Sequence, residues 1–204
     1  MAGVCDPHVV ALRSLADALD HEGIDWAVAG AVAANVHREA IRTTNDLDVI
    51  VALAGKGLSV VQDALHQRGW TTLAVAEDFL LRLGHPEAGR LDVMVSGTDY
   101  ETGAIARADR TNHDERLSFK TLAVEDVVIL KLIADRSQDA ADVESILATK
   151  PDFDGEYMTR WFEVFNHLDL GGRYERCLAN VEDRGLLQPP RPRKADLPRS
   201  LGKV

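Results

Sequence analysis

Two aspartates stand at the head of an otherwise apolar run, Asp46-Leu47-Asp48-Val49-Ile50-Val51, within the stretch WAVAGAVAANVHREAIRTTNDLDVIV from Trp26 to Val51. A β-strand alternates its side chains, so Asp46 and Asp48 share one face while Leu47 and Val49 occupy the other. Two like charges this close repel, and partly buried carboxylates need a compensating cation. The pattern therefore calls either for an exposed edge strand or for a place where oxygen ligands converge on an ion such as Mg²⁺. Spacing alone does not decide, because 33 acids among 204 residues generate about five acidic pairs at this spacing by composition. Asp152 and Asp154 form one such pair and read as a solvated loop.

The surroundings of Asp46 and Asp48 narrow the choice. Sixteen residues before Asp46, an apolar strand from Trp26 to Ala29 runs into Gly30-Ala31 and then an alanine-rich helix to His37. A helix opened by glycine offers free backbone N–H groups and a positive dipole end, which suits phosphate; a glycine that only packs helix against strand would look the same. Downstream, DFLLRLGHPEAGRLDVMVS is two apolar runs around a His-Pro-Glu-Ala-Gly loop, a hairpin signal that sets Asp92 in its second strand. Together these make a phosphate cradle facing three carboxylates.

The remaining pattern is mixed. Residues 8–22 form an amphipathic helix closed by Gly23, Leu47 to Ala52 a strand, Leu58 to Arg68 a helix closed by Gly69, and Trp70 to Val75 another strand. A polar, arginine-bearing stretch and a short strand from Leu117 to Leu122 follow. From Ala123 to Asp183 only helical periodicity appears, with loops near Pro151 and Gly171-Gly172. Trp161, Phe162 and Phe165 fit helical core spacing or, alternatively, a stacking platform for a base. The expected organisation is an α/β (α+β) core over residues 1–123, a helical region over 124–187, and a Pro-rich basic tail over 188–204.

The order strand, Gly-Ala, helix, RTTNDLDVIV and later RLDVMV resembles the nucleotidyltransferase superfamily related to DNA polymerase β. More narrowly, Arg42, Thr44, Asp46 and Asp48 in RTTNDLD match the R-x-T-x-D-[IL]-D form of the AbiEii and MenT-type toxin nucleotidyltransferases. VEDVVILKLIADRSQDAADVESI is similar to that family's helical segment, with Lys131, Asp139 and Asp142 at its lysine and downstream acidic positions. The match covers about Asp25 to Leu147. It departs from the family at Ala29-Gly30-Ala31, where a second glycine or a serine is usual, and at Gln138, where lysine is common.

The resemblance implies a small mixed nucleotidyltransferase-type sheet flanked by helices and a Mg²⁺-dependent transfer from an NTP. Asp46 and Asp48 would hold Mg²⁺, and Asp92 would ligate a second ion or act as general base. Gly30, Ala31, Arg42, Thr44 and Lys131 would serve the nucleotide. For Thr44 the alternative is a β-branched strand former, and for Lys131 a lysine snorkelling at the core's edge. Asp139 would pair with Lys131 or Arg136, or cap its helix. A toxin of this family implies an RNA acceptor such as a tRNA 3′ end and a cognate antitoxin; a protein or small-molecule hydroxyl, or a degenerate NTP-binding module, are the other readings.

Composition sets outer limits. The net charge of −10 argues against broad nonspecific nucleic-acid binding but tolerates a local basic track, for which Arg82, Arg90, Arg107, Arg110, Arg116 and the tail are candidates. Cys5 and Cys177 form no CxxC pair and read as buried thiols, and the histidines show no metal-ligand spacing. No apolar run approaches the ~20 residues of a membrane-spanning helix, and no signal peptide is read, so the expected location is the cytoplasm.

Overall fold

Alternating apolar residues build a seven-stranded sheet whose order is β3-β4-β5-β2-β1-β7-β6. It appears in a computed structural model that describes residues 6–114, 117–149 and 151–186. The strands are β1 (Asp25–Val28), β2 (Asp46–Ala52), β3 (Thr71–Ala76), β4 (Leu80–His85), β5 (Gly89–Val95), β6 (Asp109–Asp114) and β7 (Leu117–Thr121). Two pairings are parallel, β1 with β7 and β2 with β5; the others are antiparallel. This is a mixed α/β fold, as the sequence indicated.

The sheet belongs to the first of two compact units, which comprises the described residues up to Val36 together with Ile41–Val127. Its helices are α1 (Pro7–Leu19), α2 (Gly30–Val36), α3 (Leu58–His66), α4 (Asp99–Arg107) and the first turn of α5 (Val124–Ala134). Asp6 caps α1 by accepting from the His8 amide, with Pro7 in the first turn, where its missing N–H is not needed. The Trp70 indole donates to Ser14 Oγ at 2.8 Å and so ties the start of the β3 region to α1.

One face of the central strands is the core. Leu47, Val49, Val51, Leu81, Leu83, Leu91 and Val93 are all fully buried, and register sets Leu47 beside Leu91 and Val49 beside Val93. Each such side chain contributes about 1.5–3 kcal/mol of apolar burial. That side of the sheet fixes the strand register, because a one-residue slip would turn Asp46 and Asp48 into the core.

Two elements were not read from the sequence. The polar stretch after Val95 holds helix α4, opened by a capping box in which Thr98 accepts from the Glu101 amide and Glu101 returns to the Thr98 backbone. It also holds the edge strand β6, whose polar sequence DRTNHD carries no apolar alternation.

The second unit comprises His37–Ala40 and the described residues from Val128 onward. It contains the rest of α5, α6 (Ser137–Leu147), α7 (Gly155–Val164), a 3₁₀ turn (Asn166–Leu168) and α8 (Leu170–Asp183). Helices α6 and α7 pack against α8. The loop expected at Gly171-Gly172 is instead the first turn of α8; the chain reverses just before it, at Asp169, which takes a left-handed conformation with φ +53°. Trp161, Phe162 and Phe165 are half-buried, with Trp161 and Phe165 stacked at 5.8 Å, and the buried side chain of α7 is Met158. Asp154 of the chance acidic pair caps α7 by accepting from the Tyr157 amide. Cys177 is buried, and burial followed by the nearby Glu144 pushes its thiol up. Cys5, Arg116 and the expected tail at 188–204 lie outside the described residues. Among the described residues no helix is long and apolar enough to cross a membrane.

Candidate active site

β2 is an interior strand, between β5 and β1, so the edge-strand explanation of its aspartates fails. Asp48 stands directly opposite Asp92 across the parallel β2–β5 pair, and Asp46 lies opposite Arg90. Residues opposed in neighbouring strands bring their Cβ atoms to roughly 5 Å. All three carboxylates are half-buried and lie on the face away from the Leu47 and Leu91 layer. The three acids singled out in the sequence thus share one face, and the β2–β5 register is what sets Asp48 beside Asp92.

Gly30 completes this corner. It is the first residue of α2, in the left-handed region with φ +60°. A Cβ on it would stand 1.9 Å from Asp48 Oδ2, so the Asp48 carboxylate lies where any side chain would be. The glycine thus has a steric purpose towards Asp48 as well as a conformational one. Ala31, next in the helix, is buried.

The segment leading into β2 is held from both ends. Asn35 of α2 donates to the Arg42 carbonyl at 2.9 Å and accepts from the Arg42 amide at 3.1 Å. Thr44 precedes the strand, so it is not a strand former; its hydroxyl donates to Asp46 Oδ1 at 3.0 Å. That bond fixes a hydroxyl beside the acids and orients one carboxylate. Asn35 carried no signal in the sequence beyond its place on the helix.

Asp92 already has a cation. Arg82 stands opposite it in the β4–β5 hairpin, donating from Nε at 3.0 and 3.1 Å and from Nη2 to Oδ2 at 2.9 Å. The Asp92 hydrogen bond and charge, followed by Asp46 and Asp48 at longer range, hold the Arg82 guanidinium above its usual range. Sequence reasoning placed Arg82 on a nucleic-acid track. The signal for its partnership was available in the hairpin loop, since His85 opposite Gly89 forces Arg82 opposite Asp92.

The donor set fits a hard divalent cation: three carboxylates on one face, no sulfur or imidazole, and a partly open surface. As they stand, no three acidic, histidine or cysteine side chains among the described residues are gathered closely enough to hold an ion. In this arrangement both Asp92 oxygens accept from Arg82.

Lys131, Asp139 and Asp142 lie in the second unit, in a buried ion network of its own. Lys131 Nζ is 3.1 Å from Asp139 Oδ1 and 2.6 Å from Asp142 Oδ2, and Arg38 Nη1 is 2.6 Å from Asp142 Oδ1. Arg136, largely exposed, closes on Asp139 from the other side. Both pairings that the sequence left open for Asp139 are therefore made, and its helix cap is not, because Arg136 is the N-cap residue of α6. Burial alone would raise the Asp139 carboxyl; Arg136 and Lys131 outweigh it and hold the group below its ordinary 3.8. Two cations and two anions nearly enclosed together neutralise one another, which is the condition for burying them at all. Arg38 was not singled out from the sequence, since nothing in HREA marks it.

The basic track is partly engaged elsewhere. Arg107 lies 3.1 Å from Glu125 and 3.4 Å from Asp126 at the start of α5, and Arg110 donates to Ser118 at 2.7 Å.

A central mixed sheet with a glycine-opened helix after its first strand and acids on adjacent parallel strands defines a nucleotidyltransferase-like fold. Among solved structures, the chain is similar to an antigenic nucleotidyltransferase-like protein from Paracoccidioides brasiliensis, with a TM-score of 0.52 and 15% identity over 84% of this chain and 94% of that one. It also aligns with the antibiotic-resistance factor ANT(2″)-Ia at TM-score 0.48 and 14% identity, covering 88% and 94% of the two chains. The lincosamide antibiotic adenylyltransferase LnuA aligns at TM-score 0.46 and 17% identity, covering 63% and 89%. No family model and no curated protein matches the chain.

Proposed function

We propose that the chain is a Mg²⁺-dependent nucleotidyltransferase that moves a nucleotidyl group from an NTP to an acceptor hydroxyl. The observation that carries this reading is the register of Asp48 against Asp92, with Asp46 on the same face and Gly30 making room for the Asp48 carboxylate. Asp46, Asp48 and Asp92 are the residues to hold Mg²⁺. Bound there, Mg²⁺ supplies neutralisation of phosphate charge and acidification of the acceptor hydroxyl. Thr44 keeps Asp46 oriented, and Gly30, Ala31 and Arg42 are assigned to the phosphates from the resemblance. Asp92 accepts the proton as the acceptor oxygen bonds to the α-phosphorus and pyrophosphate leaves.

The role of Lys131 and Asp139 in transfer is proposed from the resemblance to AbiEii and MenT-type toxins. That resemblance also names the acceptor, an RNA such as a tRNA 3′ end, and a cognate antitoxin as partner. The engagement of Arg82 and Arg107 by acids favours a second reading, transfer to a protein or small-molecule hydroxyl, because fewer cations remain for an RNA backbone. Incubation with each labelled NTP, Mg²⁺ and total RNA or total protein separates the two. Label in RNA alone supports the first; label in protein or a small product, with none in RNA, replaces it with the second.

A further inference from the structure

The row Arg82–Asp92–Asp48 runs across three neighbouring strands on one face of the sheet. Its central carboxylate has both oxygens taken by one guanidinium, through three hydrogen bonds of 2.9–3.1 Å. A bidentate fork of this kind is the strongest neutral-pH clamp an arginine can place on a carboxylate. The two ends differ in freedom: the Asp92 side chain is 15% exposed and the Arg82 side chain 44%. Asp92 is thus fixed in the sheet while Arg82, on a long stem at the surface, is able to leave. An acid held by a guanidinium on both oxygens offers fewer lone pairs and less uncompensated charge to a metal ion or a proton, so each must compete with the arginine.

We propose that Arg82 is a positioning residue that occupies Asp92 in the nucleotide-free protein and competes with the divalent cation for that carboxylate. Filling the site exchanges an internal cation for a metal ion. Before filling, Arg82 offsets the repulsion among Asp46, Asp48 and Asp92; on filling, its guanidinium is released at the mouth of the site, beside where phosphate charge arrives. The proposal rests on the nucleotidyl-transfer reading of these three acids.

The neighbouring Arg90 supplies the comparison, since it stands opposite Asp46 on the same face and removing it changes the net charge equally. The measurement is Mn²⁺ binding without nucleotide, by titration calorimetry, for wild type, Arg82→Gln, Arg82→Lys and Arg90→Gln, with melting temperature followed in chelator and in Mn²⁺. Arg82→Gln is expected to bind Mn²⁺ roughly fivefold more tightly, to melt lower in chelator and to gain more on adding Mn²⁺. Arg82→Lys, which keeps charge but loses the fork, falls between, and Arg90→Gln changes affinity by less than about twofold. Unchanged or weaker Mn²⁺ binding in Arg82→Gln, or an equal gain in Arg90→Gln, overturns the proposal and leaves the function of the acids standing. Absence of Mn²⁺ binding in every protein, with and without NTP, overturns both.

Discussion

At Gly30 two requirements coincide on one atom: a left-handed backbone and the space taken by the Asp48 carboxylate. Gly30→Ala therefore strains the backbone and displaces Asp48, and is expected to cost about 1–3 kcal/mol in urea unfolding while abolishing transfer. Gly23, also left-handed at φ +63° but with nothing within 4 Å of where its Cβ would stand, separates these effects. Gly23→Ala should show a similar backbone strain with transfer retained; loss of transfer in both would mean that Gly30 has no particular tie to Asp48. Asp46→Asn and Asp48→Asn should lose transfer with melting temperatures unchanged or raised, because each removes one of several repelling charges. Asp152→Asn should alter neither property. At this scale Asp46, Asp48 and Asp92 were legible from alternation and hairpin pattern. The steric role of Gly30 was not, because it depends on how closely α2 approaches β2.

Elements, more than single residues, decide which side chains meet. Apolar alternation set Asp46 and Asp48 on one strand face and the short hairpin loop paired β4 with β5, but the β2–β5 pairing that brings Asp92 beside Asp48 was not read, nor was the position of Arg82. Helix α4 was missed although its capping box is written plainly as Thr98 to Glu101, because its apolar positions are few. The glycine pair in α8 misled for the opposite reason: glycine disfavours helix by only about 1 kcal/mol, and packing of Leu170, Cys177 and Val181 outweighs it. In the second unit, Lys131 and Asp142 are paired and almost fully enclosed, so Lys131→Ala removes the cation shared by two buried carboxylates and leaves Asp142 with Arg38 and Asp139 with the largely exposed Arg136. It is expected to lower stability by about 3–5 kcal/mol and to weaken transfer in the folded fraction. Full stability in denaturant titration would contradict the network. Asp139, held below 3.8, adds stability that is complete above its unfolded value and is lost as pH falls through the lower folded one. Wild type should therefore lose more stability than Asp139→Asn as the pH falls below the ordinary carboxylate range, and equal losses would remove Asp139 from the network's contribution.

Over the whole molecule, the charge of −10 and the fold lead to different expectations about partners. The fold carries three acids on one face, which the proposed function assigns to a metal-bound triphosphate, whereas net charge restricts any RNA to a local basic surface. Among the described residues, two cations of the expected track remain as candidates: Arg110, which bonds the Ser118 hydroxyl, and Arg90, in register with Asp46. Charge reversal at both should raise the apparent KM for RNA and flatten its salt dependence if RNA is the acceptor, with NTP binding unchanged; an unaltered salt dependence would place the acceptor elsewhere. The acceptor was the least legible feature, since surface arginines look alike in sequence whether they face solvent or pair, as Arg82 and Arg107 do. Nucleotidyl transfer from the three-acid face is the central claim; it is independent of acceptor and is tested by incubating wild type and Asp48→Asn with each α-labelled NTP, Mg²⁺ and a whole-cell extract, then following the label. Wild type should transfer label to a macromolecule or small hydroxyl compound, with loss in chelator and in Asp48→Asn. Equal transfer by Asp48→Asn, or no transfer by wild type from any NTP, would contradict it.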